Sequence, residues 1–393
     1  MSHKAAWLLA GCLACVSGRM AESQSKTAKP PAVAASDKAE PAIDFDKARA
    51  LFQKRQGGQK LTAEEEAYIQ RAMAARQKQN PPNGAGQPSA RNLPAPTPRE
   101  TVGLKPLSEM SATDRYKGQD GGLYGGGLNV PPASQARAAE QALARIEPLD
   151  PQGKPSADGK IVFMSISMSN ATQEFSKFKQ IADADPAKSS KLTIVDCAQG
   201  GQAMAEWVSP QAPPWTQADQ RLSNARVSPQ QVQIAWVKLA NKGPVGDLET
   251  HGRKLQRDTQ AVIQNAKARY PNLRIVYLSS RIYGGYATGN LNPEPYAYES
   301  AFAARWLIQD QIAGAAALNP NPEKGEVKAP LLLWGPYLWA DGTTPRVADK
   351  LAYTRADLAG DGTHPSELGR EKVARLMLTF YQTDPLAKSW FTR

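Results

Sequence analysis

The chain has 393 residues, 41% apolar and 22% charged, with a formal net charge of +11. That length accommodates one large domain with appendages, or two domains. Its lysines and arginines stand singly among acids, with no basic stripe, interleaved aromatic platform or zinc-finger spacing, so the charge reads as solvation and no nucleic-acid partner is expected.

The first element is a leader. MSHKAAWLLAGCLACVSG places a lysine before a short apolar stretch and small residues, as a signal peptide over 1–20 does, and it is too short to span a bilayer. Within it Leu9, Ala10, Gly11 and Cys12 resemble a bacterial lipobox, which would make Cys12 a lipidated N-terminus; ordinary cleavage further on is the alternative. Either way the protein is expected to be exported, to the periplasm or cell envelope, and a lipidated Cys12 would tether it to a membrane. Of the three cysteines, Cys12 and Cys15 lie in this leader, so Cys197 is alone in the body and no disulfide framework is available there.

Residues 21–43 form a polar Ala/Pro/Ser/Lys tract that cannot bury a core and reads as a disordered tether. Residues 44–79 read as a small helical hairpin around Gly57 and Gly58, with Thr62 and Glu65 at capping-box spacing. A Pro-rich linker follows over 80–100, then a Gly-rich lead-in over 101–157 that packs on the core. Its YKGQDGGLYGGGLN stretch (116–129) lacks the Lys-Ser/Thr ending of a phosphate loop and follows no strand, so it is turn structure.

From residue 158 onward the pattern is regular. Apolar runs at KIVFMSI (160–166), KLTIVDC (191–197), QVQIAWV (231–237), LRIVYLSS (273–280) and APLLLWG (329–335) alternate with helix-like segments, and SELGREKVARLMLTFYQ forms a last helix. This alternation predicts an α/β fold: a mostly parallel five-stranded sheet between helices, in three flavodoxin-like layers. Ligands of such sheets gather at the carboxyl ends of the strands. There the sequence places Ser169 and Asn170, then Cys197 to Gln202, then Lys238, then Arg281, Tyr283 and Tyr286, then Trp334, Tyr337 and Trp339, and finally Asp361 and His364.

Cleaving an ester covalently requires a hydroxyl nucleophile, a base, a carboxylate orienting the base, and donors for the oxyanion. Ser169 stands where a strand gives way to a helix, although strands also run into Ser-Asn as simple turns. Two histidines in the body qualify as base. His251 reads as a surface residue at the start of a long helix; His364 follows Asp361 by three residues and precedes Pro365, so a turn can bring that carboxylate to its ring. Cys197, ending an apolar strand, reads as a small core residue. No metal-ligand cluster and no cofactor is expected.

These blocks resemble the SGNH (GDSL-like) hydrolases over residues 158–385. Ser167-Met168-Ser169-Asn170 is similar to the Gly-Asp-Ser-Leu block, and closer to the Gly-Gln-Ser-Asn of the carbohydrate acetylesterase branch; Ala198-Gln199-Gly200-Gly201-Gln202 resembles the second block; Asp361-Gly362-Thr363-His364-Pro365 resembles the last. The phrasing of the domain also resembles an exported bacterial subgroup. The resemblance implies an SGNH fold, with Ser169 as nucleophile, His364 as base and Asp361 as its partner. It further implies an oxyanion hole formed by the Ser169 and Gly201 N–H groups. At the third block, where the family has Gly-x-Asn-Asp, this chain has Trp236-Val237-Lys238-Leu239, which puts Lys238 at the oxyanion donor's position.

The expected activity is that of an exported serine esterase (a carboxylic ester hydrolase) removing O-acyl groups, acetyl foremost, from a carbohydrate or other small polar ester. Asn170, Gln202, Arg281, Tyr283, Tyr286, Trp334, Tyr337 and Trp339 are expected around the substrate, with helix capping the alternative for Asn170 and rim packing for the aromatics. The substitution at Lys238 keeps a second reading open, a glycan-binding or scaffolding protein of the cell envelope whose hydrolytic machinery has decayed.

Overall fold

The computed structural model describes residues 94–393 throughout, the helix Ala63–Gln79 with residues 61 and 62, and a few positions between 43 and 54. The leader with Cys12, nearly all of the tether, most of the first half of the hairpin and the linker up to residue 93 lie outside the described residues. The chain divides into two compact units, 1–85 and 86–393. In the first, Ala63–Gln79 starts on a capping box: the Glu65 N–H donates to Thr62 Oγ1 (3.2 Å) and the Thr62 N–H to Glu65 Oε2 (2.8 Å).

The second unit is built on five parallel strands: β1 (Ile161–Ile166), β2 (Leu192–Val195), β3 (Val232–Lys238), β4 (Ile275–Ser279) and β5 (Leu331–Trp334), in the order β2-β1-β3-β4-β5. Helices cover both faces, so the strands read as unbroken apolar runs instead of alternating ones. Right-handed crossovers put Ser169–Asp183 on one face, packed against Glu367–Thr383; Arg253–Arg269 lies on the other, between Met204–Trp207 and Tyr296–Ile312. Pro213–Asn224 is a helix the sequence reading did not single out; its two leading prolines sit where a helix start needs no N–H donor. Among the described residues, no helix is long and apolar enough to cross a membrane.

The lead-in belongs to this unit. Val102 and Gly103 N–H groups donate to the two oxygens of Asp341 (2.7 and 2.9 Å), Leu107 N–H donates to the Tyr337 hydroxyl (3.0 Å), and Arg305 Nη1 donates to the Asp120 carbonyl (2.7 Å). Leu107, Met110, Ala139 and Ala142 are part of the same core as the strands. His251 departs from its expected surface position: it is buried, its Nε2 bonded to Glu299, which also accepts from the Tyr116 hydroxyl and Lys117 Nζ (2.6 Å each). The lead-in brings those two partners and covers the helix that carries Glu299. Cys197 is buried, as expected.

Sheet order decides where a cleft opens. The crossovers leave β1 and β3 in opposite directions, so the carboxyl ends of these neighbouring strands flank a crevice that no crossover fills. Ser167 Oγ donates to the Lys238 carbonyl (2.6 Å) and pins the two strand ends together at that point.

Candidate active site

Ser169 is the first residue of the helix Ser169–Asp183, directly after β1. The first N–H groups of a helix have no intrahelical partner, and the helix dipole makes that end favourable for negative charge. Its hydroxyl lies 2.7 Å from His364 Nε2, although 195 positions separate the two residues. His364 Nδ1 lies 2.5 Å from Asp361 Oδ2, while the other Asp361 oxygen accepts the N–H groups of Thr363 and His364 (3.0 Å each). These partners assign the ring proton to Nδ1 and leave Nε2 to accept from Ser169.

A tight turn makes this possible. Gly362 has φ +63°, and a Cβ there would collide with the Tyr286 carbonyl oxygen, so only glycine fits. Asn170 is buried and donates from Nδ2 to the Thr363 carbonyl (2.7 Å), tying the nucleophile's helix to the histidine's turn. It does not cap the helix, whose N-cap is Met168. Burial alone would raise the Asp361 carboxyl; hydrogen bonds from the His364 ring, the His364 N–H and the Thr363 N–H outweigh it and hold the group well below the usual carboxylate range.

Beside Ser169 is a pocket of about 40 Å³, bordered by Met168, Asn170, Gly201, Asn241, Arg281 and Asn292 among others. Gly201, at φ +74°, borders it as the sequence reading expected, and its carbonyl accepts from Lys242 Nζ (3.0 Å). Lys238 does not reach the pocket, and its expected oxyanion role is corrected. It is the last residue of β3, fully buried, with its Nζ on both oxygens of the equally buried Glu174 beneath the Ser169–Asp183 helix. Burial pushes its ammonium down to about 8, although Glu174 acts in the opposite direction. Held against Glu174 beneath the helix and absent from the pocket lining, the ammonium is not placed to donate to an oxyanion beside Ser169. After β3, Asn241 and Lys242 border the pocket; Lys242 is held by Glu206 and the Gly201 carbonyl, and Asn241 lies three positions beyond Lys238. Its Oδ1 accepts from the Ala205 N–H (2.9 Å) and its Nδ2 donates to Asp258 Oδ2 (2.6 Å), which fixes the amide and leaves its second N–H uncommitted to that bond. An asparagine in the loop after the third strand was the signal; matching the block to the strand end itself passed over it.

The aromatics expected around the substrate are core residues. Tyr283 donates to the Arg99 carbonyl (2.9 Å), Tyr286 to the Tyr353 carbonyl (3.2 Å), Trp334 Nε1 to the Leu123 carbonyl (2.6 Å) and Trp339 Nε1 to Glu294 (2.8 Å). With Tyr337 they are buried, away from the pocket lining; the lead-in covers Trp334 and Tyr337, while Tyr286 and Trp339 are held by Tyr353 and Glu294. Gln202 also does not border the pocket; its carbonyl accepts from Trp207 Nε1 (2.9 Å). Arg281 does border it, with its side chain buried.

No protein-family model matches the chain, and no curated protein matches it. Among solved structures it is similar to a proposed acylhydrolase from Bacteroides fragilis (13% identity over 66% of this chain and 100% of that one, TM-score 0.32). It is also similar to the periplasmic domain of a lipopolysaccharide acetyltransferase from Salmonella ser. Paratyphi A (14%, 63% and 96%, TM-score 0.31) and an extracellular lipase from Streptomyces rimosus (11%, 55% and 99%, TM-score 0.24). Likenesses this distant carry no conclusion about activity, which has to come from the side chains themselves.

Proposed function

We propose that this protein is a serine esterase of SGNH type that removes small O-acyl groups, acetyl foremost, from a carbohydrate or similar polar alcohol. The observation that carries the reading is the continuous hydrogen-bonded line from Asp361 through His364 to the Ser169 hydroxyl. Ser169 Oγ attacks the acyl carbon while His364 Nε2 takes its proton, and Asp361 holds the ring and stabilises its charge. The tetrahedral oxyanion is met by the N–H groups of Ser169 and Gly201 and by the side-chain amide of Asn241. As the C–O bond to the alcohol breaks, His364 returns the proton to the leaving oxygen. A water, deprotonated by the same nitrogen, then attacks the acyl-enzyme and releases the acid with Ser169 restored.

Asn241, bordering the same pocket as Ser169, supports the esterase reading over the binding-only one, which rested on Lys238 at the donor position and on Ser167 in place of the family's glycine. Export, with or without lipidation at Cys12, is part of the proposal and rests on the leader sequence alone.

The purified protein is expected to hydrolyse p-nitrophenyl acetate and to be labelled by a fluorophosphonate, with both signals lost in Ser169→Ala. Labelling that persists in that variant overturns the assignment.

A further inference from the structure

Arg281 is the one charged group on the pocket wall with nothing to hold it. Its residue is 1% exposed, and neither Nε nor Nη2 has a hydrogen-bond partner. The carboxylates whose charges act on it are Glu174, Glu294 and Asp361. Each is committed elsewhere: Glu174 to Lys238, Glu294 to Trp339 Nε1 and the N–H groups of Gly284 and Tyr298, and Asp361 to His364 and its turn. A guanidinium carries five donors in a planar fork, and a buried one lacking acceptors is costly unless something completes it. On the same wall Asn292 has the opposite vacancy: its Nδ2 donates to the Asn241 carbonyl (3.2 Å), but its buried Oδ1 accepts from nothing.

We infer that the pocket beside Ser169 receives a carboxylate-bearing part of the substrate, which pairs with Arg281, together with a neighbouring hydroxyl that donates to Asn292 Oδ1. A role for Arg281 confined to the reacting oxyanion leaves Asn292 unexplained, because a carbonyl lone pair repels a negative oxygen. A hydroxy-carboxylate completes both groups at once, and a carboxylate matches the guanidinium fork with two parallel hydrogen bonds. The substrate class narrows accordingly, from neutral acylated sugars to esters of hydroxy acids or acidic sugars. This inference rests on the esterase reading for its biological meaning, but the binding it describes does not depend on turnover.

The experiment titrates glycolate, its neutral isostere glycolamide and acetate, which lacks the hydroxyl, into the full-length protein and into Arg281→Gln, Arg281→Lys and Asn292→Leu, by calorimetry. Glycolate is expected to bind the unaltered protein at least tenfold more tightly than glycolamide. Arg281→Gln should erase that preference, Arg281→Lys should keep part of it, and Asn292→Leu should bring glycolate close to acetate. Equal binding of glycolate and glycolamide, or no binding of glycolate by the unaltered protein, overturns the inference whether or not the variants fold. Aryl acetate hydrolysis in the same preparations reports on the esterase reading separately: Arg281-dependent glycolate binding without Ser169-dependent turnover would retain the anion site and discard the esterase.

Discussion

At Asp361 burial and hydrogen bonding oppose each other, and the bonds prevail. The unfolded chain therefore takes up a proton at ordinary carboxylate pH while the folded chain does not, so this group's contribution to stability is present above that range and is lost as the pH falls through the folded value. The side chain is half exposed and partly screened, so the effect is modest. Asp361→Asn should abolish it: the melting-temperature gap between the protein and this variant should narrow from about pH 6 to about pH 3, and a gap independent of pH would contradict the account. The same substitution should lower kcat on the order of 10³–10⁴-fold, because the ring loses its orientation and tautomer. Asn241 and Lys238 make a second, opposed pair of expectations. Asn241→Ala should cost about 10²–10³ in kcat with little change in stability. Lys238→Met should instead destabilise the fold by about 3–5 kcal/mol by stranding Glu174, and Glu174→Leu added to it should restore most of that loss. Steady-state kinetics and urea denaturation separate the two behaviours.

The five strands and the last helix were legible from apolar runs and their spacing, because a sheet covered on both faces leaves a strong, uninterrupted signal. Ser169, His364 and Asp361 were legible because each falls at an element boundary where sequence and topology agree. What failed was direction. Trp334, Tyr337 and Trp339 do follow β5, but whether a side chain faces a cleft or a covering segment depends on where residues 94–157 run, and nothing local encodes that. Lys238 failed for a related reason: it continues the strand for one more position, so its side chain enters a helix–sheet layer and the loop begins beyond it. His251 was misread as exposed because its partner Glu299 lies 48 residues away. The turn at Gly362 is the element on which the histidine's placement depends. Gly362→Ala would force a Cβ against the Tyr286 carbonyl oxygen in a left-handed backbone, and activity should fall at least a hundredfold while far-ultraviolet dichroism stays unchanged. Retention of full activity would show that the turn has slack.

At the scale of the molecule, the unit that carries the candidate site begins well before its first strand. Asp341, Tyr337 and Arg305 are satisfied from residues 102–120, and core residues are drawn from 107–142. A fragment spanning 86–393 should fold and hydrolyse aryl acetates at the rate of the whole chain. One starting at 158 should expose part of its core and aggregate, a contrast that expression and size-exclusion chromatography will show. The distance along the chain between Ser169 and His364 has a further implication for biosynthesis. A ribosome must finish almost the entire polypeptide before Ser169 meets His364, so under the proposed function every nascent or prematurely terminated product ending short of the Asp361 turn should be chemically silent. If the leader functions as read, an unfolded precursor held for translocation carries no hydrolytic hazard to the compartment that made it.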